Sequence, residues 1–198
     1  MALAKQAKTL NKNQIEAVLN FLTRRRNAVR NRAIFLLSIR AGLRAKEIAN
    51  LRWEMLLEPS GLLAEQVSLV DDASKGKSGR HIPINKQLRV ALLELYESQS
   101  VHPKFSPYDH IVRTERSVKT SAQAVVNMFS AWYNELGLIG CSSHSGRRTF
   151  ITNAAKKITM VGGSLRDVQY LAGHSSLQTT ERYIEYSEKA RRSVVDII

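Results

Sequence analysis

Apolar residues recur at helical spacing along most of the chain and alternate with polar ones in only one region. Ile15, Val18, Leu19 and Leu22 form the first stripe, and Asn11 followed three residues later by Gln14 has the form of a capping box. A helix is therefore predicted over 12–23. Ala33, Ile34, Leu36, Leu37 and Ile39 predict a second helix over 30–41, ended by Gly42. Alternation appears in Glu65–Val70 and again in Arg80–Ile84, which reads as a β-hairpin with a basic, glycine-rich tip, Ser-Lys-Gly-Lys-Ser-Gly. Leu88, Leu92 and Leu95 mark a helix over 86–96, and a loop at 100–107 and a short extended segment at 109–112 follow. Thr120 or Ser121 can then cap a long helix through Val125, Met128, Phe129, Trp132 and Leu136, closed by Gly137. Its aromatic stripe reads as core.

The last quarter adds candidate chemistry to the pattern. Ser143 is placed to cap a helix carrying Phe150, Ile151 and Ala154, and His144 and Arg147, three residues apart, share one of its faces. An imidazole and a planar guanidinium there can converge on one anionic group. Gly173 interrupts the run Val168, Tyr170, Leu171, so His174 opens a turn, and a short helix is predicted from about Leu177. Tyr183, nine residues beyond His174, falls near the exposed middle of that helix, facing what His174 faces.

Composition narrows the partner. The 198 residues are 43% hydrophobic with no apolar run of membrane-span length, which predicts a soluble globular chain with one compact domain. A net charge of +13 and a pI near 10.2 suit a polyanion. Nucleic acid is preferred to an anionic membrane, because the basic residues are spread along the chain and not gathered on one amphipathic helix. Arg24, Arg25 and Arg26 read either as a solvated helix end or, preferably here, as contacts to DNA phosphates. Cys141 is the only cysteine, so no intrachain disulfide or cysteine-paired zinc site is expected, and a reducing cytoplasm fits. The first residues lack an apolar core of signal-peptide length, so secretion is not expected. His102 and His110 are assigned no chemistry, and the glycine- and lysine-bearing tip, Lys75-Gly76-Lys77-Ser78-Gly79, lacks the full phosphate-loop pattern.

The order His144-x-x-Arg147, then Leu171-x-Gly173-His174, then Tyr183 resembles the second signature block of the tyrosine recombinase (phage integrase) family. Ala-Gly-Leu-Arg-Ala-Lys-Glu-Ile, 41–48, resembles the first block and assigns Arg44 as the first catalytic arginine, with Glu47 as a carboxylate that orients cations. Where many members read His-x-Leu-Arg-His, this chain reads His-Ser-Gly-Arg-Arg; Gly146 is expected to leave a small gap, and Arg148 adds a cation. The hairpin resembles the family's lysine-bearing hairpin, and alignment on Arg80 and Pro83 puts the catalytic lysine at Lys75, with Lys77 as runner-up.

The resemblance covers about 9–186 and implies a mainly α fold with a small antiparallel β-hairpin, the tyrosine recombinase catalytic domain. A basic segment, 1–8, would precede it and a tail, 187–198, would follow, without the additional N-terminal DNA-binding domain of larger members. The implied function is site-specific recombination through a 3′-phosphotyrosyl link to Tyr183, with Tyr186 as the competing nucleophile. Arg44, Arg147 and His174 would bind the phosphate, His144 would take the phenol proton or orient charge at it, and Lys75 would protonate the 5′ oxygen. Arg24, Arg25, Arg26, Lys77, Arg80 and Arg148 are expected on DNA, with no metal and no cofactor. The implied partner is double-stranded DNA carrying a recombination site, with a homo-tetramer on DNA, a monomer off it, and accessory DNA-bending proteins as optional partners. The tail, with Val194, Val195, Ile197 and Ile198, would be exchanged between subunits, in the cytoplasm of a prokaryote and with no membrane contact. Two rival readings are a non-enzymatic DNA-binding protein on the same fold and a basic RNA-binding protein.

Overall fold

The Asn11 capping box forms as a purely local event. Asn11 Oδ1 accepts from Gln14 N at 2.9 Å, Gln14 Oε1 accepts from Asn11 N at 3.0 Å, and α1 (Lys12–Thr23) buries the predicted stripe. These elements are seen in a computed structural model that describes residues 7–70, 79–114 and 117–184. Among the described residues the chain is mostly α-helical with one two-stranded antiparallel sheet.

Helix α2 (Ala28–Arg40) is the centre of the larger core, with Ala33, Ile34, Phe35, Leu36, Leu37 and Ser38 all out of reach of solvent. A helix buried on every side must be enclosed by neighbours, and α1, α4 (Lys86–Ser100) and α6 (Ser145–Lys157) supply them. It starts at Ala28, earlier than its stripe indicates, because Asn27 adopts a left-handed φ of 58°, a conformation asparagine tolerates better than most residues. Helix α3 (Ala45–Asn50) packs on α5 (Ala122–Glu135), which is capped by Ser121, whose Oγ accepts from Ala124 N at 3.1 Å. Phe129, Trp132 and Tyr133 of α5 are buried, with the Phe129 and Trp132 rings edge-on at 5.2 Å.

Helix α4 runs on to Ser100, past the predicted end at Tyr96. Tertiary bonds hold its last turn: Gln99 donates to the Ile111 carbonyl and accepts from Trp53 Nε1. The predicted extended segment at 109–112 lies beside 51–53, where Trp53 N donates to Asp109 O and Ile111 N to Leu51 O.

The hairpin strands are β1 (Gln66–Leu69) and β2 (Arg80–Pro83), paired Val67↔Ile82 and Leu69↔Arg80. The tip, with Lys75 and Lys77, lies outside the described residues. A second, smaller core of Ile151, Val168 and Ala172 joins α6 to α7 (Leu165–Ala172). Helix α7 opens on a second capping box, Ser164 with Asp167, and α8 (Leu177–Glu181) follows it. No described helix is long and apolar enough to cross a membrane.

Candidate active site

Helix α6 carries two of the signature side chains, but it is not capped as expected. Ser143 is buried and makes no cap; the chain turns in through Ser142, whose N–H donates to Ser145 Oγ at 2.9 Å and whose carbonyl accepts from Ser145 N. His144 therefore stands just ahead of the helix and Arg147 in its first turn. Gly146 leaves no gap. A Cβ there would lie 2.4 Å from Ser38 Oγ, so its missing side chain is what lets α6 close on α2.

Arg147, only 4% exposed, ties the two cores together, with Nη1 donating to Gly42 O at 2.7 Å and Nη2 to Ala172 O. Arg44 precedes α3, and Glu47 within that helix is fully buried. Glu47 accepts from Arg44 N at 2.7 Å, from Arg44 Nη1 at 2.9 Å, and from Arg80 Nη1 and Nη2 at 3.0 and 3.3 Å. Burial alone would raise the Glu47 carboxyl, but the hydrogen bonds and charges of Arg80 and Arg44 outweigh it and hold the group below its ordinary range.

Arg80 corrects an expectation. Read from sequence as a DNA contact, it is 3% exposed, its guanidinium engaged by Glu47 and its Nε donating to Leu171 O at 3.0 Å. Its position opposite Leu69 puts it on the inward face of the hairpin, so it braces the site from within.

Three arginines from three segments thus take three consecutive carbonyls where α7 ends: Arg80 on Leu171, Arg147 on Ala172 and, at a longer 3.5 Å, Arg44 on Gly173. The last carbonyls of a helix lack intrahelical partners and form the negative end of its dipole, which favours cations there. Gly173 is required at this crowded corner. Its φ is +60°, and a Cβ would lie 2.7 Å from Arg80 Nη1.

His174 follows directly. Its N–H donates to Gln169 O, its Nδ1 lies 2.9 Å from Thr180 Oγ1, and its ring stacks on that of Tyr183 with centroids 5.6 Å apart. Burial and the charges of Arg147, Arg44 and Arg80 depress its pKa to about 4; burial, Arg147 and Arg44 also lower that of His144. Tyr183 is not in the middle of a helix as expected. Helix α8 ends at Glu181, and Tyr183 lies beyond it in a closing turn in which its N–H donates to Thr180 O at 3.0 Å.

Arg44, His144, Arg147, His174 and Tyr183 all line one cleft of about 530 Å³, together with Arg148, Arg182, Ser142 and Thr179. No described Asp or Glu is among its lining residues. Four guanidiniums in one cleft, one of them paired with the buried Glu47, favour an anion, and Arg148 Nε is buried with no hydrogen-bond partner among the described residues. The Arg24–Arg26 cluster does not line it: Arg25 pairs with Glu135 and sits 4.3 Å above the Phe21 ring. Among the described residues no group of three His, Cys, Asp or Glu side chains could hold a metal ion. Sequence pattern alone does not mark Arg182 or Thr180 as functional; the adjacency of Arg182 to Tyr183 in a basic chain is a signal for the former, whereas nothing local marks Thr180.

The family profile described as Phage integrase family matches residues 8–190. The tyrosine recombinase XerA of Pyrococcus horikoshii is 28% identical over 190 residues, an alignment covering 96% of this chain and 60% of that protein. Tyrosine recombinase XerC of Leptospira interrogans is 25% identical over 186 residues, covering 92% and 56%. The chain thus spans about 60% of the length of the curated relatives it matches. Among solved structures, the Tn1549 transposon integrase in complex with transposon right end DNA superposes with a TM-score of 0.75 at 17% identity, covering 98% of this chain and 66% of that one. The crystal structure of XerA recombinase gives 0.72 at 18%, covering 94% and 63%. These superpositions establish a shared fold, and with the profile running through nearly the whole sequence, the chain belongs to the phage integrase family.

Proposed function

We propose that this chain is a site-specific DNA recombinase that cuts and rejoins strands through a covalent link between Tyr183 and a 3′ phosphate. The observation that carries this reading is the cleft, in which a tyrosine hydroxyl-bearing ring shares one pocket with four arginines and two imidazoles, with no described Asp or Glu among the lining residues. Tyr183 Oη attacks the phosphorus, the bond to the 5′ oxygen breaks, and the phosphodiester passes from sugar to phenol. Negative charge grows on the non-bridging oxygens as phosphorus becomes five-coordinate, and the fixed guanidiniums of Arg44 and Arg147 stabilise that state more than the ground state. A phenol of ordinary pKa about 10 must lose its proton as it attacks. His144, its pKa lowered by burial, Arg147 and Arg44, is neutral near pH 7 and can accept it. The departing 5′ oxygen takes a proton from Lys75 or Lys77 on the hairpin tip. The phosphotyrosyl link conserves the phosphodiester, so a 5′-hydroxyl from another strand can reverse the step without nucleotide. Arg148 and Arg182 add positive charge along the bound backbone.

The direct test is trapping. On a duplex nicked beside the cleavage point, the protein should give a denaturation-resistant adduct in EDTA and without ATP, and the DNA-linked peptide should contain Tyr183. The absence of any adduct across a set of matching recombination sites would overturn the reading.

Two expectations follow for binding and assembly. Because the cleft is lined by cations, affinity for DNA should fall steeply with salt, with a log–log slope of about −0.9 per phosphate neutralised; a nearly flat dependence measured by filter binding contradicts it. The active assembly is a tetramer on two duplexes, joined by exchange of the tail, which lies outside the described residues. Deleting 193–198 should leave single-site binding within about twofold and abolish two-duplex complexes in gel-shift assays, since burying each of the terminal Val and Ile side chains contributes roughly 1.5–3 kcal/mol. Retention of those complexes at wild-type concentration would assign the tail to its own domain.

A further inference from the structure

We infer that Thr180 is a positioning residue that fixes the ring tautomer of His174, presenting Nε2–H to the phosphate in the cleft. This rests on the recombinase reading only in its last step, the identity of the bound anion. Thr180 is fully buried, and its hydroxyl lies 2.9 Å from His174 Nδ1. No other hydrogen bond of that hydroxyl is formed among the described residues, so its proton has one acceptor, the Nδ1 lone pair. A neutral imidazole carries one proton on its two nitrogens; with Nδ1 accepting, the proton sits on Nε2. The ring is neutral because burial and the nearby Arg147, Arg44 and Arg80 disfavour an imidazolium.

The geometry leaves Nε2 as the donor for a ligand. The main chain of His174 is clamped to Gln169 from both sides, its N–H donating to Gln169 O and its carbonyl accepting from Gln169 Nε2, each at 3.1 Å. One face of the ring is covered by Tyr183. Thr180 also reaches the other partner: its carbonyl accepts from Tyr183 N at 3.0 Å. A single buried residue thereby sets the side chain of His174 and the main chain of Tyr183 against each other. The wrong tautomer would point a lone pair at an anionic oxygen, replacing an attraction with a repulsion at the site where charge develops.

The test reads the tautomer directly. Two-bond nitrogen–proton NMR spectra of the full chain, with His174 assigned by its loss in His174→Asn, should show an unprotonated Nδ1 and a protonated Nε2 without DNA. Thr180→Ser should keep that pattern and strand cleavage within about threefold. Thr180→Val, of nearly the same shape, should lose the pattern and cut about tenfold to a hundredfold more slowly with DNA affinity unchanged, the range seen when the group orienting a functional histidine is removed. Protonated Nδ1 in the wild type, or wild-type cleavage by a folded Thr180→Val, would overturn the inference; if that variant fails to fold, the wild-type spectrum and Thr180→Ser decide it. Failure of the wild type to form any covalent adduct would instead overturn the recombinase reading and leave the tautomer result standing.

Discussion

Tyr183→Phe should bind target DNA with wild-type affinity and form no covalent adduct, a loss on the order of 10⁶-fold as for removal of other enzymatic nucleophiles. The substitution removes one oxygen and nothing else. The Phe ring keeps the stack on His174, the main-chain bond to Thr180 is unaffected, and the arginines of the cleft retain their carbonyl and carboxylate partners. Binding through cations therefore persists while the attacking atom is gone. Tyr186→Phe is the control, because that tyrosine lies a few residues on, outside the described part of the chain. It should still form the adduct. An adduct that survives in Tyr183→Phe and disappears in Tyr186→Phe would move the nucleophile, and recombination unchanged by both would leave a DNA-binding protein that does no chemistry.

Glu47→Gln should destabilise the fold by about 3–5 kcal/mol, the usual cost of removing one partner from a buried ion pair. For a chain of this size that corresponds to a fall in Tm of roughly 6–20 °C. The carboxylate pairs with both Arg44 and Arg80, and its loss leaves their guanidiniums close together with less to offset their repulsion. Arg44 should swing out of position, so cleavage should drop even at temperatures where the variant is folded. The effect has a pH signature. A carboxyl whose folded pKa is lowered adds stability that is present above its unfolded pKa, about 4.3, and is lost as the pH falls through the folded value. Wild type and Glu47→Gln should therefore converge in stability on acidification and differ most near neutrality. A Tm within about 2 °C of wild type at pH 7 would show that Arg44 and Arg80 do not depend on Glu47.

What could be read from the sequence was what local chemistry decides. Asn11 and Gln14 complete a box within one turn, and the stripes of α1, α4 and α5 bury the side chains their spacing selects. Signature spacing also brought Arg44, His144, Arg147, His174 and Tyr183 to one cleft. The misreadings share another cause. Arg80 looks like an exposed hairpin cation until Glu47, 33 residues earlier, is seen to receive it. Gly146 looks like a gap until Ser38 is seen to fill it, and α4 gains its last turn from Trp53 and Ile111. Ser143 is a different case, a local cap displaced by a competing local turn through Ser142 and Ser145. Thr180 has no pattern of its own, since its importance lies in which nitrogen it meets.

The row of carbonyls at the end of α7 also has a kinetic meaning. Leu171, Ala172 and Gly173 are reached by arginines 91, 25 and 129 residues earlier in the chain, and Arg147 reaches back a further 105 to Gly42. Contacts of such long sequence separation require large loops to close and tend to form late in folding. A chain still emerging from the ribosome, with α7 unmade, holds Arg44 and Arg80 but not the corner that aligns them with Arg147. On the proposed recombinase reading, the phosphate clamp is thus assembled only by the finished fold, and a nascent or half-unfolded copy would have the charge to touch DNA without the geometry to cut it.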